Sequence, residues 1–172
     1  MDLGILHWIQ DTVTHPYLIQ LFRIITSLGN GRIVWIVMAI VLILKKRRKE
    51  AVFLLLTLVL TSLFVNGVFK HLVMRARPFV TDPTLIPRIA PPSSTSFPSG
   101  HSATSLCCSA FLYLSEKNAL GKLAVITGIL IALSRLVLLV HYPTDVIAGA
   151  VTGIVIGGLM YVLMKKYEKT SV

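Results

Sequence analysis

The sequence predicts an all-α polytopic membrane protein: a bundle of five spans preceded by N-terminal interfacial helices. Three observations carry this. Hydrophobic residues make up 55% of the chain against 14% charged, and the mean hydropathy of +0.79 lies far above that of a soluble domain. Residues 51–69 run without a single charge over a length that crosses a bilayer. Ten of the 17 Lys and Arg fall in three clusters, at 45–49, 117–122 and 165–169, as the positive-inside rule expects of turns on one side of a membrane. With 172 residues, one domain is expected.

Residues 1–30 mix apolar side chains with Asp2, Asp11, His15 and Arg23, and Pro16 interrupts them. No stretch there reaches the roughly 20 residues a span needs, so one or two amphipathic helices lying in the interface are expected. A sixth span within residues 5–28 is the alternative. The basic n-region and small-residue cleavage site of a signal peptide are lacking, and the whole chain is read as mature. A Gly29-Asn30-Gly31 turn then leads into residues 33–44, which are apolar but only 12 residues long. They span if Arg32 snorkels and the helix borrows from its flanks.

The five cations at 45–49 are expected in the cytoplasm, and 51–69 then runs outward to Lys70. Residues 71–97, rich in Pro, Ser and Thr, read as an outer loop dominated by turn chemistry. A helix from Ser99 to about residue 115 returns inward, 123–140 goes out again, and 146–164 comes back. Gly149, Gly153 and Gly157 form two small-xxx-small steps, read as close packing within the bundle in preference to a dimer contact. The adjacent Cys107 and Cys108 read as small packing residues, since two neighbours cannot build a disulfide framework. The formal charge of +10 would point to nucleic acid in a soluble chain. Here it fits anionic lipid, and no basic stripe with interleaved aromatics calls for nucleic acid. No oligomeric state is read from the sequence.

Against this apolar background three polar constellations stand out, all expected at the outer face. In the first, Lys70 and Arg77-Pro78 are seven residues apart, so both cations share a face if the helix continues that far. In the second, Pro98-Ser99-Gly100-His101 opens a helix: Ser99 is a good N-cap, Gly100 lets a ligand approach the backbone, and the free N–H groups of the first turn make an anion site. The third is Ser134-Arg135, His141 and Asp145. Pro143 can start a new helix, which puts Asp145 in its first turn beside His141. A carboxylate on one ring nitrogen fixes the tautomer and leaves the other a lone pair, while Arg135 offers a planar fork suited to phosphate. Ser134 and His141 would share a face if that helix persisted. Each group alone has a plain structural reading: headgroup anchoring by basic residues, an ordinary helix cap, a carboxylate complementing a helix dipole. Their shared side is what those readings leave unexplained.

This pattern resembles the type 2 phosphatidic acid phosphatase family, whose signatures are Lys-x6-Arg-Pro, Pro-Ser-Gly-His and Ser-Arg-x5-His-x3-Asp. All signature positions are present here, from Lys70 to Asp145. The resemblance implies that His141 is a nucleophile taking the phosphoryl group, with Asp145 orienting it, and that His101 is the general acid and then the base that activates water. It implies that Lys70, Arg77, Ser99, Gly100 and Arg135 cradle the phosphate oxygens. The expected function is therefore a cell-membrane lipid phosphatase, working without metal or cofactor through a phosphohistidine at the extracytoplasmic face. Its substrate would be a lipid phosphate or diphosphate such as undecaprenyl diphosphate, phosphatidylglycerol phosphate, phosphatidic acid or a lipid A phosphate, with the first or a glycerophospholipid favoured. Metal catalysis is disfavoured because only Asp82 and Asp145 of the seven carboxylates fall in the outer region, and His71 lies roughly 100° around the helix from Lys70. Two competing readings remain. One is a protein that binds or flips phospholipid headgroups without cleaving them, which leaves His141 and Asp145 idle. The other is a vanadium-dependent haloperoxidase, which resembles the same cradle but belongs to soluble enzymes.

Overall fold

A computed structural model of the chain describes residues 1–170. All regular structure among them is helical: α1 Asp2–Thr12, α2 Pro16–Gly29, α3 Ile33–Leu44, α4 Arg48–Phe64, α5 Lys70–Val73, α6 Pro78–Thr81, α7 Gly100–Ser115, α8 Ala119–Val137 and α9 Pro143–Thr170. A π-helical turn, Val65–Phe69, joins α4 to α5. Among the described residues four runs are long and apolar enough to cross a membrane: Pro16–Leu44, Arg48–Thr81, Ala119–Val137 and Pro143–Thr170. With 16 residues, α7 is shorter, and it forms the centre of the bundle, with α4, α8 and α9 packed around it.

The side chains are arranged as a bilayer would demand. Val52, Leu56, Val59 and Leu63 of α4 and Ile147, Val151, Ile154 and Val155 of α9 all face outward. On α7, by contrast, every residue from Ser102 to Ser109 is buried, polar ones included. A helix buried all round needs close neighbours on every side. The glycine stripe supplies one of them. A Cβ built on Gly149 would lie 2.6 Å from the Ser99 carbonyl oxygen, and at Gly153 and Gly157 it would crowd the Ala103 and Cys107 carbonyls more closely still. The small-xxx-small steps are therefore filled by α7 of the same bundle. Cys107 and Cys108 are free and buried in this packing.

Helix ends follow local chemistry. Ser99 Oγ accepts from the Ser102 N–H at 3.3 Å and caps α7. Asn118 Oδ1 accepts from the Leu120 N–H at 2.9 Å and caps α8. Pro143 opens α9, where its missing N–H costs nothing. At one end of the bundle the basic turns are tied together, with Arg47 Nη1 2.9 Å from Glu116 Oε1. At the other, α1 lies across the connecting segments: Leu6 and Ile9 pack with Leu85, Leu139 and Tyr142, and His7 Nε2 is 2.8 Å from Asp82 Oδ2.

Two local expectations change. The helix carrying Lys70 does not reach Pro78: it stops at Val73, Met74 has φ 41°, and Arg77 is extended. Nor does α8 carry Ser134 round to His141, because it ends at Val137 and Leu139 has φ 59°. The 33–44 segment does borrow from its N-terminal flank. α2 and a 3-10 turn run into it, so that 16–44 together reaches spanning length, although Gly31 (φ 57°) and Arg32 (φ 62°) bend the run where the sequence placed a turn.

Candidate active site

The site is assembled at the end of the bundle opposite the basic turns, where the chain leaves helical geometry. Arg77, freed from the helix, is fixed by backbone carbonyls instead. Its Nε donates to Ser94 O at 2.7 Å and its Nη1 to Val140 O at 2.7 Å. Lys70 reaches the same loop from the end of its own helix, with Nζ donating to Ser94 Oγ at 2.9 Å. The two cations thus converge through Ser94.

His141 sits between α8 and α9 and is only 2% exposed. Its Nδ1 lies 3.4 Å from Asp145 Oδ2 and 3.5 Å from Ser96 Oγ, while its Nε2 lies 3.3 Å from Arg77 Nη1. Asp145 is wholly buried and held on several sides. Its Oδ2 accepts from Ser96 Oγ at 2.5 Å and from the Tyr142 N–H at 3.0 Å, and its Oδ1 accepts from Arg75 Nη1 at 2.7 Å. Arg75 continues outward to Asp2 Oδ2 at 2.9 Å and covers the Tyr142 ring. With the carboxylate on the Nδ1 side, the tautomer that donates from Nδ1 leaves the lone pair on Nε2, toward Arg77. Burial first, and then the Arg77 and Arg135 charges, push the His141 imidazole down to about 4 against the opposing pull of Asp145. At neutral pH the ring is uncharged, with a lone pair available on Nε2.

The opposite wall comes from α7 and the N-terminal third. Gly100 and His101 form the first turn of α7, and their N–H groups have no partner among the described residues, which leaves an anion-binding helix start. His101 Nε2 lies 2.9 Å from Asn30 Oδ1. Arg135 is buried, with Nη1 donating to Thr26 Oγ1 at 2.5 Å and Nε unpartnered.

These groups surround a cavity of about 540 Å³. Lys70, Arg77, Gly100, His101, Arg135 and His141 all line it, together with Arg23, Asn30 and Arg32. Two candidates stand behind it. Asp145 reaches it only through His141, and Ser99 is fully buried with its hydroxyl accepting from Ser102. Among the described residues no group of three or more His, Cys, Asp and Glu is placed to hold a metal ion. Sequence reasoning missed Ser96, the role of Arg75, and the contribution of Thr26, Asn30 and Arg32. Only Arg75 carried a signal, as a cation inside the Lys70 to Arg77 interval.

The chain is similar to several known proteins. The undecaprenyl-diphosphatase of Sulfolobus acidocaldarius is 34% identical over 123 residues, which cover 70% of this chain and 58% of that protein. This chain thus spans less than two thirds of that relative. The decaprenylphosphoryl-5-phosphoribose phosphatase of Mycobacterium tuberculosis is 33% identical over 154 residues, 86% of this chain and 81% of that one. The crystal structure of Aquifex aeolicus LpxE superposes with a TM-score of 0.80 at 26% identity, covering 92% of this chain and 93% of its own. The model of the PAP2 superfamily matches residues 50–169, an interval holding all three polar constellations, and the chain belongs to that superfamily.

Proposed function

We propose that the chain is an integral membrane phosphatase that releases phosphate from a lipid phosphomonoester or diphosphate through a phosphohistidine. One observation carries the reading: three cations, an open helix start and two histidines from distant parts of the chain share one cavity. The lone pair on His141 Nε2 bonds to phosphorus as the P–O bond to the lipid breaks. The electron pair of that bond goes to the lipid oxygen, which takes a proton from His101, a proton that burial and Arg135 oppose in the empty site and that the negative charge of the bound phosphate restores. His101, now neutral, then removes a proton from water as the water oxygen bonds to phosphorus. The N–P bond breaks, its pair returns to Nε2, and inorganic phosphate leaves. Lys70, Arg77, Arg135 and the Gly100 N–H hold the phosphate oxygens throughout. Charge-assisted contacts of about 1.5–3 kcal/mol each favour the charge of the transition state. Asp145 and Ser99 act from behind, one orienting His141 and the other holding the α7 start.

The ten cations at the far end of the bundle support a cytoplasmic position for that end, with the cavity opening at the extracytoplasmic face of the cell membrane. There α1 lies in the interface, while Leu18, Leu21, Ile24 and Leu28 turn outward along α2 within the 16–44 run. The name of the first relative favours undecaprenyl diphosphate among the lipid substrates.

The test is phosphate release in mixed micelles by the wild type and by His141→Ala, with helicity and monodispersity checked for both. Loss of at least about 10³-fold is expected for a missing nucleophile, with wild-type release blocked by vanadate and unaffected by chelators. A folded His141→Ala protein with full activity would reject the reading. Headgroup movement between leaflets without phosphate release would favour a flipping protein.

A further inference from the structure

The cavity is more positive than one phosphate requires. Five cations line it, Arg23, Arg32, Lys70, Arg77 and Arg135, and no Asp or Glu does. Three of them account for the reacting phosphate. Arg23 is engaged with the outer segment, its Nε donating to Arg88 O at 2.7 Å. Arg32 is left over, and it is placed with some care. It follows Gly31 in a second left-handed conformation, φ 62° after φ 57°, a conformation that residues other than glycine adopt at a cost and that recurs at ligand clamps. Its Nε is buried without a partner among the described residues, an arrangement that needs an explanation.

We propose that the Asn30-Gly31-Arg32 turn is a subsite for the second phosphate of a lipid diphosphate, with Arg32 holding the phosphate that stays on the lipid. The inference rests on the phosphatase reading above and adds the substrate class to it. Its geometry comes from His101. That histidine gives its proton to the leaving oxygen, and its ring is bounded by this turn: Nε2 lies 2.9 Å from Asn30 Oδ1, and a Cβ built on Gly29 would lie 2.8 Å from the ring. Whatever leaves therefore leaves beside Arg32. In a phosphomonoester the leaving atom is an alcohol oxygen, and Arg32 gains nothing to bind. In a diphosphate it is the bridging oxygen, attached to the proximal phosphate. His141 Nε2 bonds to the distal phosphorus as the bond from the bridging oxygen to that phosphorus breaks. The electron pair stays on the bridging oxygen as part of the lipid monophosphate, whose added charge Arg32 meets, and the His101 proton joins it. Water then hydrolyses the phosphohistidine as before. Asn30 and Arg32 also lie outside the interval 50–169 that the superfamily model matches, so the shared signature does not account for them.

The test compares a polyprenyl diphosphate with the polyprenyl monophosphate of the same tail, measuring kcat/KM in micelles for the wild type, Arg32→Gln and Arg32→Lys. The wild type is expected to favour the diphosphate. In Arg32→Gln the diphosphate-to-monophosphate ratio should fall on the order of 10–100-fold, as loss of one charge-assisted contact implies, and Arg32→Lys should recover part of it. A ratio unchanged in Arg32→Gln overturns the subsite. The wild type alone gives a second measurement: inorganic pyrophosphate should compete at least about tenfold more tightly than inorganic phosphate, and equal competition overturns the proposal even if the variants fail to fold. Phosphate release that persists in folded His141→Ala would instead overturn the phosphatase reading beneath it, so the two failures are told apart.

Discussion

The two histidines of the cavity are held in opposite ways. His141 is 2% exposed, with its Nδ1 edge against Asp145 and Ser96 and its Nε2 edge against Arg77. Among the described residues His101 has one polar partner for its ring, Asn30, on a turn with two successive left-handed residues. A nucleophile gains from one fixed tautomer and one line of attack. A group that gives up a proton and takes it back must exchange with both substrate and water, and too firm a grip would hinder it. The two walls also differ in origin. The His141 side joins the 75–96 segment to the start of α9, whereas the partner of His101 comes from the N-terminal third, outside the residues the superfamily model matches.

The contrast breaks most visibly at Asp145. Asp145→Asn keeps the shape but turns one acceptor oxygen into a donor, so Ser96, Tyr142, Arg75 and His141 can no longer all be satisfied. With the tautomer of His141 no longer fixed, kcat is expected to fall about 10³–10⁴-fold, as for other carboxylate-oriented histidines, while KM stays within about threefold. Steady-state phosphate release by protein of unchanged helicity measures this. A loss under about tenfold would mean that His141 needs no carboxylate to orient it.

The sequence exposed the walls of this site more readily than the links between them. Lys70, Arg77, Gly100, His101, Arg135 and His141 stand out because charge and histidine are costly beside apolar runs, and each lines the cavity. The helix rules that grouped them were less dependable. Seven-residue spacing implied continuous helices for Lys70 with Arg77 and for Ser134 with His141, yet Met74 and Leu139 interrupt both with positive φ. Neither residue type announces such a break, since both are ordinary in helices. The cations still converge, through Ser94. Ser96 was invisible because it lies in a Pro- and Ser-rich segment without periodicity, where one serine reads like the next. From the sequence Arg32 reads as a snorkelling side chain, because nothing local says that the turn before it folds against His101.

A smaller effect is expected from Ser96→Ala. Asp145 then loses its 2.5 Å donor but keeps the Tyr142 N–H and Arg75. A buried carboxylate deprived of one of several donors loses about 1–2 kcal/mol, which corresponds to roughly a tenfold drop in kcat. A drop equal to that of Asp145→Asn would make the serine, and not the carboxylate, the group that orients His141. An unchanged kcat would show that Arg75 and the backbone hold Asp145 unaided.

The subtlest expectation concerns protonation, with no substitution at all. Burial, with Arg77 and Arg135 nearby, lowers the His141 imidazole to about 4, and Asp145 only partly opposes them. Between about 4 and the ordinary value near 6.5 the folded ring stays neutral while an unfolded chain binds a proton. The stability this group contributes is therefore complete above about 6.5 and is lost as pH falls through about 4. Nitrogen-15 spectra of histidine-labelled protein in micelles, assigned by comparison with His141→Ala, should show the His141 resonance neutral at pH 5.5, where exposed histidines are largely charged. A midpoint at 6.5 or above would mean that the Asp145 carboxylate outweighs burial and the two guanidinium groups. His141 would then be mostly cationic at mildly acidic pH, without the lone pair that attack on phosphorus requires, and the distinction between the gripped histidine and the exchanging one would fall.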